Sequence, residues 1–126
     1  MHSMDLNETP AHVVIACADI MTGSNISASS QIEHVVARSE SAVLGMLDRS
    51  SKFQVVVVDL QGFPELPKTL RSEHGFVGII IGFAPHVRTD LLDGARPFVT
   101  SLKSRGAIIQ RFDEIVSGAM ERARHA

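Results

Sequence analysis

The stretch from Gln54 to Gly62 constrains the fold of this chain more than any other. It contains four consecutive valines that end at Asp59, and a glycine-containing turn follows. A strand that is apolar at every position, and not only at alternate ones, is typical of a parallel sheet whose two faces are both covered by helices. In open α/β sheets, ligands bind outside the carboxyl ends of the strands. The sequence therefore predicts that Asp59 lies at the functional edge of a sheet.

Composition and charge exclude several classes of protein. The chain has 126 residues, of which 44% are hydrophobic and 21% charged, so we expect one globular domain over 1–126 with a polar tail at 1–10. The net charge of −2 argues against a nucleic-acid partner. No apolar run approaches the roughly 20 residues that cross a bilayer, so no membrane partner is expected. A single cysteine forms no internal disulfide and favours a cytoplasmic location.

Five apolar runs alternate with segments of helical character. The third and fourth runs are continuous and rich in β-branched residues, which predicts interior strands at Val55–Val58 and Val77–Ile81. The other runs, shorter or more polar, are Val13–Cys17, His34–Ala37 and Ala107–Gln110. Strand–helix alternation indicates a three-layer α/β fold, with five parallel strands and helices on both faces of the sheet.

The intervening segments vary in how clearly they predict helices. The clearer ones are a helix capped by Ser39 or Ser41, Pro64–Ser72 stopped by His74-Gly75, a helix opened by Pro85, and Phe112–Ala123. Met21–Gln31 is rich in Gly, Ser and Asn, so a helix there should be short or irregular. Gly94–Arg105 contains Pro97 and is predicted to be an irregular, insertion-like stretch.

This order of elements, with a third strand ending in Asp59, resembles the receiver domain of two-component response regulators over nearly the whole chain. The resemblance implies a flavodoxin-like fold with strand order 2-1-3-4-5. It also implies that Asp59 is the acceptor of a phosphoryl group from a histidine kinase. In that family an acidic pair after the first strand holds Mg²⁺, a Ser or Thr ends the fourth strand, and a Lys ends the fifth.

The supporting residues of that family depart from its pattern here. Ala16 and Cys17 stand where the acidic pair is expected, with Asp19 slightly further on. Gly82 stands at the hydroxyl position, and Gln110 with Arg111 at the position of the lysine. Mg²⁺ is therefore expected only if Asp19 and Asp59 converge, and no other cofactor is implied.

Two interpretations of Asp59 remain open at this point. Phosphoryl transfer depends on positioning and charge neutralisation, so a chain lacking these groups is predicted to be a degenerate receiver that takes up phosphate poorly. Asp59 would then cap the following turn, Leu60–Phe63. The alternative is a receiver that still accepts phosphate at Asp59.

A second resemblance concerns Ile81–Val87, which is similar to a segment of receiver-like bacterial proteins. It places His86 over the same crevice as Asp59, where a cluster with Arg111 would bind an anion or another chain; otherwise His86 caps a helix at the surface. We expect the protein to act by contact with a kinase or regulator, or by self-association. The candidate contact face, as in receivers, lies around the fourth helix and fifth strand and includes Phe98, Val99 and Leu102.

Cys17 supports a rival enzymatic interpretation. Its position before a Gly/Ser/Thr loop resembles the phosphocysteine loop of sugar-phosphotransferase IIB proteins and the loop of low-molecular-weight tyrosine phosphatases. The phosphatase needs an arginine six residues after the cysteine, and that residue is Gly23. Asp19 would also raise the pKa of the thiol. The sequence therefore favours a non-enzymatic protein in which Cys17 is buried as a small hydrophobe.

Overall fold

The computed structural model describes residues 12–125 as alternating strands and helices. The strands are β1 (Val13–Ala16), β2 (Val35–Ala37), β3 (Val55–Asp59), β4 (Ile79–Ala84) and β5 (Ser101–Ser104). The helices are α1 (Ile20–Ser29), α2 (Glu40–Met46), α3 (Leu66–His74), α4 (Thr89–Ala95) and α5 (Arg105–Arg124), and a 3₁₀ turn at Arg96–Phe98 follows α4. The predicted polar tail, 1–10, lies outside the described residues.

The five strands form one parallel sheet in the order β2-β1-β3-β4-β5, which confirms the predicted flavodoxin-like α/β fold. In the middle of the sheet, Val56 pairs with Val14 on one side and with Ile80 on the other. The two strands predicted to be interior, β3 and β4, each have a neighbouring strand on both sides. The fourth strand begins only at Ile79, because Val77 precedes the ladder and is 58% exposed.

Each face of the sheet contributes to its own hydrophobic core. Val14, Val56 and Ile80 face a cluster formed with α2, α3 and α4, whereas Ile15 and Val57 face a cluster formed with α1 and α5. Successive residues of a strand point to opposite faces, so a strand covered on both sides must be apolar at every position. This requirement explains the four consecutive valines.

Helix α1 is longer and more regular than its sequence predicts. The expectation of a short or irregular helix is wrong, because α1 has ten residues. Asp19 caps its start by accepting a hydrogen bond from the Thr22 backbone N–H. Ile26 is fully buried, and the open side of Gly23 faces Val36 of β2. Capping and tertiary packing therefore outweigh the weak local propensity.

The prediction for the fifth strand is wrong. Ala107–Gln110 belongs to α5, and β5 is Ser101–Ser104, inside the stretch predicted to be irregular. The apolar residues of the 107–110 run form the buried stripe of a helix, in which Ile108 is fully buried. β5 is an edge strand whose residues are all half-buried, and its mixed composition carries no clear strand period.

The boundaries of α2, α3 and α4 agree in part with those predicted from the sequence. Ser39 caps α2, and Gly75 ends α3 in the left-handed conformation with φ of 62°, as expected from its lack of a Cβ atom. α3 begins at Leu66 and not at Pro64. α4 begins at Thr89 and not at Pro85, and Pro97 lies in the 3₁₀ turn that follows it.

Candidate functional site

The carboxylate of Asp59 lies at the carboxyl edge of the sheet, and each of its two oxygens accepts a hydrogen bond. The residue is 6% exposed. One oxygen, Oδ1, accepts a hydrogen bond of 3.1 Å from the backbone N–H of Gln61. The backbone carbonyl of Asp59 accepts bonds from the N–H groups of Gly62 and Phe63. Asp59 therefore stabilises the turn after β3, as one of the two sequence-based interpretations requires.

The second carboxylate oxygen of Asp59 accepts a hydrogen bond from Cys17. The thiol Sγ lies 3.6 Å from Oδ2 of Asp59 and 3.4 Å from the backbone oxygen of Asp19. Cys17 follows β1 directly, and the parallel pairing of β1 with β3 brings the two strand ends together. A neutral thiol thus stands beside Asp59, at the position where the receiver resemblance places an acidic residue.

The environment of Cys17 opposes formation of a thiolate. Burial and the nearby charge of Asp59 raise the pKa of Cys17 from the ordinary 9.0 to about 11, and the charge of Asp19 adds a smaller contribution in the same direction. Because the thiolate is the nucleophile, a thiol with this pKa is unreactive near neutral pH. The charge of Asp19 thus acts in the expected direction, but burial is the largest cause, and the hydrogen bond to the Asp19 backbone lowers the pKa by more than this charge raises it.

Asp19 and Asp59 are connected through Cys17, and the Asp19 carboxylate has partners of its own. It accepts hydrogen bonds from the backbone N–H and the hydroxyl of Thr22, and these bonds lower the pKa of Asp19. Over residues 12–125, no group of three or more His, Cys, Asp or Glu side chains is placed to hold a metal ion. The Asp19 carboxylate therefore acts as the cap of α1.

The residues that the sequence assigned to a pocket occupy different environments. Gly82 is buried within β4, where it pairs with Val58, and the residue paired with Asp59 is Phe83. A Cβ atom on Gly82 would lie 3.2–3.4 Å from atoms of Leu60, Leu102 and Val99. The lack of a side chain at Gly82 therefore serves packing.

His86 lies in the turn after β4 and is exposed. It makes no hydrogen bond or ion pair with any other residue in the described part of the chain. The N-cap of α4 is Arg88, and no side chain caps this helix. The interpretation of His86 as a helix cap is therefore wrong.

Gln110 and Arg111 are exposed residues of α5 and do not end a strand. The fifth strand has its own lysine, Lys103, which pairs with Phe83. Lys103 lines a groove against α5, and within 12–125 no ion pair joins it to Asp59. Sequence reasoning missed Lys103 because it placed the fifth strand too late in the chain.

Arg105 is a second cation that sequence reasoning missed. It is the first residue of α5, and its Nη1 lies 3.5 Å from Oε1 of Gln61 in the turn after Asp59. Its charge also contributes to the lowered pKa of Asp19. Correct bounds for β5 would have identified it, because a residue directly after a parallel strand lies at the same edge as Asp59.

The predicted contact face is partly packed into the core. Val99 and Leu102 are half-buried against the cluster that includes Val58 and Ile80. Phe98 is half-buried at the end of the 3₁₀ turn, and its carbonyl accepts a hydrogen bond of 3.0 Å from Nε of Arg71. Phe98 is therefore the member of this face that belongs to neither hydrophobic cluster.

Comparison with known proteins finds no matching family model, no matching curated protein and no matching solved structure. No helix in the part of the chain that the structure describes is long and apolar enough to cross a membrane.

Proposed function

We propose that this protein is a degenerate receiver-like domain that regulates a signalling partner by direct contact, or by self-association, without catalysing a reaction. The flavodoxin-like strand order supports the receiver resemblance, although this fold also occurs in proteins of many other functions. The observation that carries the proposal is the pairing of the buried Asp59 carboxylate with the Cys17 thiol. This pairing leaves a neutral side chain at a position where a metal-binding receiver needs an anion.

Efficient phosphorylation of Asp59 is not expected under this proposal. Mg²⁺ requires several oxygen ligands in near-octahedral geometry, and Cys17 offers a protonated thiol in their place. Gly82, Phe83 and Ala84, the last three residues of β4, supply no hydroxyl, and Lys103 lines the groove against α5. Phosphoryl transfer depends mainly on such charge-neutralising groups, so their absence removes most of the rate acceleration.

A cysteine-based enzyme is disfavoured by the same geometry. The thiol of Cys17 is fully buried, and its pKa is raised to about 11. A nucleophilic cysteine needs an electropositive and accessible environment that lowers its pKa. The free, buried thiol also fits a reducing compartment, so the proposal includes a cytoplasmic location.

Beryllofluoride with Mg²⁺ tests the proposal, because it mimics an aspartyl phosphate without needing a kinase. We expect the amide spectrum of the wild type to show no saturable change at Asp59 or Gln61. Cys17→Asp supplies the missing carboxylate, and Asp59→Asn in the Cys17→Asp background removes the acceptor. A saturable change in Cys17→Asp, absent from the variant that also carries Asp59→Asn, would support the explanation that the wild type lacks a metal-binding carboxylate at position 17.

Saturable beryllofluoride binding by the wild type, lost in Asp59→Asn, would overturn the proposal in favour of a phosphate-accepting receiver. Acetyl phosphate provides the covalent version of the test. A stable gain of about 80 Da in the intact mass of the wild type, absent in Asp59→Asn, would overturn it equally, since transfer adds one phosphoryl group to the carboxylate.

A further inference from the structure

A groove between the edge strand β5 and the second part of α5 gathers three cationic side chains around one carboxylate. Its volume is about 180 Å³, and its lining residues are Lys103, Arg111, Glu114, Ile115, Gly118 and Arg122. The three cations set against Glu114 leave a formal charge of +2 in the groove. This concentration of positive charge contrasts with the net charge of −2 for the whole chain.

The three cations of the groove have no anionic partner in residues 12–125. Lys103, Arg111 and Arg122 make no ion pair there. Three other arginines are paired in the described residues: Arg88 with Asp90, Arg96 with Asp93 and Arg124 with Glu121. A bound anion would therefore be attracted by three charges that no ion pair in this range neutralises.

The backbone of α5 shapes the groove at two positions. The helix is interrupted at Arg111, which has φ of −134° and ψ of 37°. Gly118 lies in the helix interior, where glycine is a poor choice for stability. A Cβ atom there would lie 3.5 Å from Nη1 of Arg122. The missing side chain therefore leaves open the space beside this guanidinium.

We propose that this groove binds the phosphate group of a phosphate monoester. Guanidinium groups match phosphate oxygens in a bidentate geometry, and Lys103 adds a half-buried point charge on β5. The groove is smaller than the roughly 300–1,000 Å³ of pockets that enclose drug-sized ligands, which suits a phosphate group better than a whole cofactor. The phosphate belongs either to a small molecule or to a phosphorylated side chain. The site is separate from Asp59, so it does not depend on the proposed function.

A titration with inorganic phosphate at constant ionic strength, with chloride as the reference salt, tests the site by amide chemical shifts. We expect saturable changes centred on Lys103, Arg111 and Gly118. Lys103→Gln or Arg122→Gln should each weaken phosphate binding by about three- to fivefold, the scale of a partly exposed charge pair.

Two further variants separate a specific site from a general effect of charge. Glu114→Gln removes the carboxylate that repels the ligand, so it should strengthen phosphate binding. Lys68→Gln makes the same charge change as Lys103→Gln on an exposed residue of α3, and it should leave phosphate binding unchanged. Equal losses in Lys103→Gln and Lys68→Gln, or equal shifts with phosphate and chloride, would overturn the proposal.

Gly118→Ala tests whether weaker phosphate binding can occur without loss of stability. Alanine favours a helix more than glycine does, and its Cβ atom makes an ordinary contact of 3.5 Å with Arg122. We expect a protein that is at least as stable as the wild type but binds phosphate more weakly. Unchanged phosphate binding in a folded Gly118→Ala would contradict the assigned location.

The same titration distinguishes the two sources of the phosphate group. O-phosphoserine is compared with a phosphoserine peptide and with the unphosphorylated peptide. Tighter binding of the phosphopeptide than of the amino acid assigns the site to a phosphorylated protein segment. Equal binding of these two assigns it to a small phosphate monoester. Equal binding of the phosphorylated and unphosphorylated peptides would overturn the proposal.

Discussion

At the scale of single residues, Asp59 contacts the buried thiol of Cys17 and helps to keep it protonated. The one thiol proton is shared between Oδ2 of Asp59 at 3.6 Å and the backbone oxygen of Asp19 at 3.4 Å. The charge of Asp59 also contributes to the raised pKa of Cys17. The thiol in turn is a hydrogen-bond partner for one carboxylate oxygen of Asp59, a residue that is 6% exposed. Buried polar groups need such partners, since an unsatisfied one costs about 1–3 kcal/mol. The pair therefore meets part of the hydrogen-bonding need of both buried groups.

The raised pKa of Cys17 predicts a specific dependence of stability on pH. The pKa is about 11 in the folded protein against an ordinary 9.0, so the unfolded chain releases this proton first as the pH rises. The contribution of the neutral thiol to stability is complete below pH 9.0 and declines between 9.0 and about 11. Urea unfolding of the wild type and of Cys17→Ala at pH 8 and pH 10 measures the effect.

We expect the stability of the wild type, relative to Cys17→Ala, to be lower at pH 10 than at pH 8. Other groups titrate alike in both proteins and cancel in this comparison. Labelling with a thiol reagent at pH 8 is the companion measurement, and it should be slow until urea unfolds the protein. Rapid labelling of the folded wild type, or a constant difference in stability, would contradict the raised pKa.

At the scale of elements, strand β4 depends on the absence of a side chain at Gly82. Its neighbours Leu60, Leu102 and Val99 come from three different segments and converge at this point. Leu102 lies directly opposite Gly82 in the ladder between β4 and β5. The close approach of these side chains helps to hold the edge strand β5 against the sheet.

Gly82→Ala should destabilise the protein, because its Cβ atom would come within 3.2–3.4 Å of three packed side chains. Overpacking of this kind costs about 1–3 kcal/mol. Gly45→Ala is the matched control, since a Cβ atom on this residue of α2 meets nothing within 4 Å. There we expect a gain of about 0.5–1 kcal/mol from improved helix propensity.

Urea unfolding of the two variants under identical conditions gives both free energies. A Gly82→Ala protein as stable as the wild type would mean that Leu60 and Leu102 rearrange at no cost. In that case Gly82 would have no packing role.

At the scale of the whole molecule, the apolar side chains that a protein partner could contact are distributed around the sheet. The predicted face with Phe98 lies beside β5, whereas Ile20, Met21 and Val87, which are 64%, 70% and 72% exposed, lie in segments that follow the carboxyl ends of β1 and β4. Exposed apolar side chains that cluster are typical of interaction surfaces. The face at Phe98 is the one that the receiver resemblance favours.

Phe98→Asp should weaken the proposed protein contact by at least about tenfold, because aromatic residues at interfaces often act as energetic anchors. Sedimentation velocity measures self-association, and quantitative capture from cell extract measures a partner. Val77→Asp is the matched control, since it places the same charge on an exposed residue that precedes β4. Circular dichroism checks that both variants are folded. Equal association by Phe98→Asp and Val77→Asp would exclude this face.

Local sequence was sufficient to define the interior of the sheet and the place of Asp59. The continuous β-branched runs predicted as strands were Val55–Val58 and Val77–Ile81, and the buried parts of both, Val55–Val58 and Ile79–Ile81, are covered on both faces by helices. A cap at Ser39 or Ser41 and a stop at His74-Gly75 were also predicted, because they depend on residues close in sequence, and the structure has Ser39 and Gly75 in these roles.

Tertiary contacts determine the regions where local signals are weak or absent. The residues of β5 are half-buried and mixed in polarity, so their strand conformation depends on hydrogen bonds from β4. The ten-residue α1 likewise depends on the burial of Ile26, which outweighs its poor propensity. The pairing of Cys17 with Asp59 joins side chains 42 residues apart. Neither residue type specifies the other, and the two meet because β1 and β3 are adjacent parallel strands that end at the same edge.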